Sequence, residues 1–201
     1  RDSWASRGLG DVYKRQSVEY QYPNHLFQAG YFLDKKYYDE NTIDFKHLLL
    51  SEKNQSLLKD IQNSNSVGVH IRRGDYMTKQ NLVIFGNICT QKYYHDAIRI
   101  ITEKVNDAVF YVFSDDISWV QTHLDIPNAV YVNWNTGESS IYDMYLMSSC
   151  KYNIIANSTF SYWAARLNKK TNMVIYPSKW YNTFTCLLYT SDAADDMQCV
   201  D

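Results

Sequence analysis

The chain has 201 residues, of which 45% are hydrophobic and 21% are charged, and its formal net charge is −2. This composition excludes a disordered chain and a disulfide-dense miniprotein. A charge near zero argues against a nucleic-acid binder, because no basic excess is present to displace counterions from phosphates. No apolar run approaches the ~18 residues of a membrane span, and no signal peptide opens the sequence. We therefore expect a globular protein, rich in tyrosine.

Both ends of the sequence resemble translated adapter DNA. Residues 11–16 read as the translation of a transposon end used in sequencing libraries, and residues 186–191 read as the translation of its reverse complement. We therefore predict adapter-derived segments at 1–16 and 186–201, around a gene fragment. Without these segments the acidic and basic residues balance, and only two cysteines remain. Two isolated cysteines indicate neither a metal site nor a disulfide framework, and they favour a reducing compartment.

Residues 17–65 show no alternation of strands and helices. They contain an extended aromatic piece around Tyr31 and Phe32, followed by helical patterns at 43–50 and 51–61. We interpret this part as a linker or as the tail of a preceding N-terminal domain.

Residues 66–185 alternate short apolar runs with helical patterns. Strands are predicted at 66–70, 108–113, 129–132, 152–156 and 173–176, and helices are predicted after Thr90, after Asp115–Asp116, at 141–147 and at 159–167. Strands that alternate with helices in this way are typical of βαβ units. We therefore predict an α/β fold with a mainly parallel sheet, bounded at 66–185.

Three polar clusters directly follow three of the predicted strands. They are Ile71–Arg72–Arg73–Gly74–Asp75–Tyr76, Ser114–Asp115–Asp116 and Asn157–Ser158–Thr159–Phe160–Ser161. Parallel strands point the same way, and open parallel sheets bind their ligands beyond the carboxyl ends of the strands. The three clusters are therefore expected to meet in one site.

The residue types in these clusters suit a diphosphate ligand. Arginine offers paired donors to phosphate oxygens, and alternation along the strand would send Arg72 and Arg73 to opposite faces, so that only one contacts the ligand. Gly74 permits a sharp turn or close approach of the backbone. The start of the helix after the third strand favours an anion, and Asp115 or Asp116 could accept hydrogen bonds from a ribose or a base.

Each of these signals also has a purely structural interpretation. The two arginines could form surface ion pairs, and the adjacent aspartates could be helix-start acids. Ser158 could be only a helix cap, and His70 could be a satisfied core histidine. Aromatic pairs such as Tyr162 and Trp163 could stack on sugars or fill the core. The residues alone leave these alternatives open.

Three blocks of the sequence resemble those of the alpha-1,2-fucosyltransferases, glycosyltransferase family eleven. Residues 67–76 are similar to the first signature of that family, and Phe-Ser-Asp-Asp at 113–116, followed by Trp119, is similar to the second. Residues 143–161 resemble the third block. The order and spacing agree across nearly all of 29–182.

The resemblance implies a metal-independent, inverting transferase of the GT-B type, which has two Rossmann-like domains. This chain would supply the C-terminal, donor-binding part, and no cofactor is expected. The enzyme would move L-fucose from GDP-fucose to the 2-hydroxyl of a galactose in a glycan or glycolipid. Arg73, with Arg72 as the alternative, would bind the donor diphosphate. His70 and Asp75 are candidates for the general base, and a base in the family's N-terminal half is the other alternative. The rest of the donor pocket would be Gly74, Ser114, Asp115, Asp116, Asn157, Ser158, Thr159, Phe160 and Ser161.

Two other functions stay open at this point. One is a non-catalytic nucleotide-sugar-binding fragment, and the other is a fucosyltransferase of different linkage. The Gly-rich block that opens the family's N-terminal half is not found in the sequence, so much of the acceptor site is expected to lie outside it. We expect a cytoplasmic location, with peripheral attachment to the inner membrane left open.

Overall fold

The computed structural model describes residues 18–22, 25–29, 43–182, 184–185 and 197–200. The chain divides into two compact units, 1–44 and 45–201. Of the sequence predictions, the aromatic piece around Tyr31 and Phe32 and the adapter-derived segment at 1–16 lie outside the described residues. The domain boundaries at 66 and 185 stay predictions.

The first unit contains an antiparallel hairpin that the sequence did not predict. Strand β1 (Val18–Tyr22) pairs with strand β2 (His25–Ala29), with Val18 opposite Ala29 and Tyr22 opposite His25.

The second unit is an α/β fold. Its strands are β3 (Asn65–Ile71), β4 (Ala108–Ser114), β5 (Ala129–Val132), β6 (Tyr152–Ile154), β7 (Met173–Pro177), β8 (Lys179–Tyr181), β9 (Phe184–Thr185) and β10 (Met197–Val200). Its described helices are α1 (Glu52–Asn63), α2 (Lys79–Phe85), α3 (Gln91–Lys104), α4 (Ile117–His123), α5 (Ser140–Ser148) and α6 (Thr159–Arg166). The main sheet has the order β10-β7-β6-β3-β4-β5, and every neighbouring pair in it is parallel. The predicted parallel α/β architecture is confirmed.

The central strands are apolar on both faces because helices cover both. Along β4, Phe110 and Val112 pack in one buried cluster with apolar residues of α3 and α4. The alternate residues, Tyr111 and Phe113, pack in a second cluster with residues of α1, α5 and α6. A continuous apolar run is the expected pattern for a strand that is buried on both sides.

The order of the strands places a topological switch next to β3. From β3 the chain proceeds to β4 and β5 on one side, then returns to build β6 and β7 on the other side. This is the Rossmann-like arrangement, in which ligands bind beyond the carboxyl ends of the strands that flank the switch. The fold therefore directs attention to the loops that follow β3, β4 and β6.

Two details of the sequence interpretation are corrected by the structure. The segment 43–50, predicted as helical, has no helix; instead the Phe45 ring packs on Tyr145 with the centroids 5.1 Å apart. This contact, rather than a helical repeat, explains an apolar residue at position 45. Helix α2 was not predicted at all, although Thr78 caps its start by accepting a hydrogen bond from Asn81 N.

None of the described helices is both long and apolar enough to cross a bilayer. The described part of the predicted adapter-derived segment 186–201 is β10, which pairs in parallel with β7. The origin of that segment stays a prediction.

Candidate functional site

The three predicted polar clusters lie at one edge of the sheet. Strands β6, β3 and β4 are direct neighbours and parallel, so their carboxyl ends meet there. Hydrogen bonds connect the clusters: Arg73 N, for example, donates to Asp115 Oδ1 at 2.9 Å, and the Tyr76 hydroxyl donates to the Asn157 carbonyl at 2.9 Å. The sequence therefore predicted correctly which loops converge.

Arg72 is held by two carboxylates. Its Nη2 lies 2.7 Å from Asp75 Oδ1, and its Nη1 lies 3.0 Å from Asp115 Oδ2. Both terminal nitrogens of Arg72 are therefore already engaged within the protein. An incoming phosphate would have to compete with these two ion pairs for the same donors.

Arg73 is held differently. Its Nε donates to Asp116 Oδ2 at 3.2 Å, and its guanidinium carbon lies 3.6 Å from the ring centroid of Trp119. Among the described residues, no hydrogen bond or ion pair engages the two terminal nitrogens of Arg73. The side chain is 19% exposed. Of the two arginines, Arg73 is therefore the one with donors available to a phosphate.

Both arginines line the same cleft, which corrects the expectation that they point to opposite faces. Strand β3 ends at Ile71, so its alternation does not extend to the arginines. The cleft has a volume of about 230 Å³ and is also lined by Tyr76, Trp119 and Asn157. The sequence reasoning assigned no site role to Tyr76 or Trp119, although both fall in the family-like blocks.

Gly74 and the second cluster are packed against each other. A Cβ added at Gly74 would collide with the carboxylate of Asp115. Close approach of the backbone to Asp115 is thus the reason for glycine at this position. Ser114 accepts a hydrogen bond from Asp116 N at 3.0 Å, and Asp116 Oδ1 caps α4 by accepting from Trp119 N at 3.1 Å. The interpretation of Asp116 as a helix-start acid is therefore correct. The same carboxylate also contacts Arg73.

His70 is buried at the carboxyl end of β3, with an exposed fraction of 5%. Burial first, and then the charge of Arg72, lower the pKa of its imidazole to about 3. His70 is therefore neutral near pH 7, and such a low pKa argues against a role as general base. Its Nδ1 has no hydrogen-bond partner among the described residues, and its ring lies 5.0 Å from that of Phe160. A buried unpaired nitrogen is suited to a hydrogen bond with a ligand.

The other candidate base, Asp75, belongs to a short 3-10 turn, Gly74–Met77, and its side chain is 54% exposed. One of its carboxylate oxygens accepts from Arg72, at the distance given above. The Asp75 carboxylate is thus exposed enough to accept a proton from a substrate hydroxyl, although it is also paired with Arg72.

The third cluster contains two residues with internal roles. The Asn157 amide donates to the carbonyls of Phe85 at 3.1 Å and Trp180 at 3.2 Å. Ser161 is fully buried, and its hydroxyl donates to the carbonyls of Ala156 and Ser158. These bonds hold the loop that leads into α6.

The start of α6 is available for an anion. No side chain caps its first turn, and Ser158 occupies the N-cap position. Thr159 and Phe160, the first two helical residues, are half-buried. First-turn N–H groups have no partner within a helix, so they depend on solvent or on a ligand.

A partly buried polar network that includes Asp143 was not predicted from the sequence. The Asn135 amide donates to Asp143 Oδ1 at 2.6 Å and to Asn54 Oδ1 at 3.1 Å, and Trp134 Nε1 donates to Asn54 Oδ1 at 2.7 Å. The network joins α1, the loop after β5, and α5. Burial raises the pKa of the Asp143 carboxyl to about 7.

This raised pKa predicts a specific pH dependence of stability. Between about pH 4 and pH 7 the folded chain holds a proton on Asp143 that the unfolded chain has lost. The contribution of Asp143 to stability is thus full at low pH and falls as pH rises through this window, by at most about 1.4 kcal/mol per pH unit. Urea unfolding of Asp143→Asn from pH 5 to 8 should lack this component. An identical pH slope in the variant and the parent would contradict the assignment.

The main sheet is Rossmann-like, and the loops at its switch point carry two arginines and the uncapped start of α6. This arrangement is typical of nucleotide-binding domains. The sequence profile described as Glycosyl transferase family 11 matches residues 6–188. The chain belongs to this family.

Several curated proteins are similar to the chain. An alpha-1,2-colitosyltransferase of Escherichia coli is 36% identical over 162 residues, 76% of this chain and 55% of that protein. The O-antigen biosynthesis glycosyltransferase WbnK of Escherichia coli is 44% identical over 122 residues, 60% of this chain and 40% of that protein. Galactoside alpha-(1,2)-fucosyltransferase 2 of Pongo pygmaeus is 29% identical over 128 residues, 60% of this chain and 37% of that protein. The chain thus spans about half the length, or less, of these relatives.

Proposed function

We propose that the chain is the donor-binding part of an alpha-1,2-fucosyltransferase of the two-domain GT-B type. The enzyme transfers L-fucose from GDP-fucose to the 2-hydroxyl of a galactose in a glycan or glycolipid. The observation that carries the proposal is Arg73, whose terminal nitrogens are unengaged at the switch point where such folds bind nucleotides. The fucosyltransferase named among the relatives supports the choice of reaction.

The proposed reaction is a single displacement. The acceptor oxygen attacks C1 of fucose, the bond from C1 to the phosphate oxygen breaks, and GDP leaves with the electron pair. Negative charge therefore grows on the β-phosphate, where the donors of Arg73 and the start of α6 stabilise it. The proton of the acceptor hydroxyl passes to a general base, for which Asp75 fits better than the neutral, buried His70.

His70 instead serves the donor pocket. Its buried Nδ1 would form a hydrogen bond with the nucleotide, and Phe160 fixes the plane of the imidazole. We propose that Asp115 and Asp116 act mainly by orienting the arginines, because their oxygens accept from Arg72 and Arg73. The reaction as proposed requires neither a metal nor a cofactor. We further propose that the protein works in the cytoplasm, and at the inner membrane when its acceptor is a glycolipid.

A second candidate donor follows from one relative. The alpha-1,2-colitosyltransferase covers the largest share of the chain among the three relatives described above. A transfer of colitose through the same arginine site is therefore the second candidate function. The two functions differ in the sugar and share the anion site.

The test is a transfer assay with the full-length gene product that contains this chain. GDP-fucose and GDP-colitose are offered in parallel with a labelled galactoside, with and without EDTA. We expect fucose transfer to the 2-hydroxyl, unchanged by EDTA. Transfer of colitose alone would favour the second candidate, and binding of either donor without transfer would favour a non-catalytic binding module. Loss of activity with EDTA would contradict the metal-independent mechanism.

A further inference from the structure

We propose that Trp119 is a positioning residue for Arg73. Its ring holds the guanidinium group in the orientation in which the terminal nitrogens can bind a diphosphate. The inference deepens the proposed function and rests on it, since it assigns a role within the same anion site. Trp119 itself is not required to contact the reacting atoms.

The contacts around Arg73 form a closed unit. The guanidinium carbon of Arg73 lies 3.6 Å from the centroid of the Trp119 ring, well within the range of a cation–π interaction. One oxygen of Asp116 accepts from Arg73 Nε, and the other accepts from the backbone N–H of Trp119. The Asp116 carboxylate therefore fixes both Arg73 and Trp119.

The comparison with Arg72 shows why an aromatic residue suits this position. Arg72 is oriented by Asp75 and Asp115, whose oxygens occupy its terminal nitrogens. An aromatic ring instead binds the face of a guanidinium and leaves the N–H groups at its edge available. Trp119 can therefore restrict the motion of Arg73 without consuming the donors that a phosphate needs.

The orientation of Trp119 is supported from the next turn of α4. The His123 ring stacks on the Trp119 ring, with the centroids 4.5 Å apart and the planes within 10°. The Thr122 hydroxyl lies 2.6 Å from His123 Nδ1 and donates to the Trp119 carbonyl at 3.0 Å. Restricting a long, partly exposed arginine before binding lowers the entropy that must be lost on binding. This preorganisation is the effect we assign to Trp119.

The test uses calorimetric titration of the 201-residue chain with GDP. Trp119→Leu removes the aromatic face, and we expect it to weaken GDP binding about tenfold, which is within the range of one cation–π contact. Trp119→Phe keeps a smaller aromatic face and should recover most of the affinity. Trp134→Leu is the matched control, because it removes another tryptophan under a cation, with Lys53 Nζ 3.8 Å from its ring centroid. This control should leave GDP affinity unchanged.

A double-mutant cycle separates positioning from a general structural role. In the Arg73→Lys background, which weakens binding without abolishing it, Trp119→Leu should cause almost no further loss. Additive losses, or equal affinity of Trp119→Leu and the parent chain, would overturn the inference while leaving the proposed function intact. Absence of GDP binding by the parent chain would instead overturn the proposed function, and this inference with it.

Discussion

Replacing Arg73 with alanine will lower the rate of fucosyl transfer by about 100-fold or more, equivalent to roughly 3 kcal/mol of transition-state stabilisation. Arg73 is the arginine with unengaged terminal donors, and its guanidinium is fixed by Asp116 and Trp119. Negative charge that develops on the leaving diphosphate would lose its best-placed partner. The measurement is single-turnover transfer from GDP-fucose by the full-length protein that contains this chain.

Two control variants make the Arg73 result interpretable. Arg73→Lys keeps a positive charge but cannot form paired, planar hydrogen bonds, so it should retain only part of the activity. Arg99→Ala removes an arginine of α3 that pairs with Glu103 at the surface, and it should have no effect. If Arg73→Ala were fully active while Arg72→Ala was inactive, the roles assigned to the two arginines would have to be exchanged.

Replacing Asp115 with alanine will weaken donor binding by about tenfold, within the range for losing a charged hydrogen-bond partner. The Asp115 carboxylate accepts from Arg73 N and pairs with Arg72, and Gly74 packs directly against it. Loss of the carboxylate would release both arginines from their positions. Calorimetric titration with GDP measures the change.

The sign of the Asp115 effect decides between two physical accounts. If the carboxylate acted only through its charge, its removal beside an anion site would strengthen GDP binding, because like charges repel. If it acts by orienting the arginines, binding weakens. Asp125→Ala, which removes an exposed aspartate after α4, is the control and should leave the affinity unchanged. Tighter binding of GDP by Asp115→Ala would contradict the orienting role.

The sequence was sufficient to predict the α/β sheet and the convergence of its polar loops. Apolar runs such as 108–113 are continuous because both faces of β4 are covered. Such a run can be recognised in the sequence from consecutive residues alone. The positions of the arginines, aspartates and the α6 start then follow from parallel topology alone. This part of the prediction needed no knowledge of side-chain contacts.

What the sequence could not predict depends on contacts between distant residues. Arg72 and Arg73 are engaged differently because Arg72 also pairs with Asp75 nearby, whereas Asp115, Asp116 and Trp119 lie more than 40 residues away. No spacing rule connects these distant side chains to an arginine. Strand alternation even gave the wrong result there, because β3 ends before the arginines. The low pKa of His70 likewise follows from burial in the folded chain.

The most direct test of the central claim is a crystal structure of the 201-residue chain with bound GDP. We expect β-phosphate oxygens within about 3 Å of the terminal nitrogens of Arg73, as in charge-assisted hydrogen bonds. We also expect the diphosphate to lie at the first turn of α6. A diphosphate bound through Arg72 alone, or at any site away from the carboxyl ends of β3 and β6, would contradict the central claim.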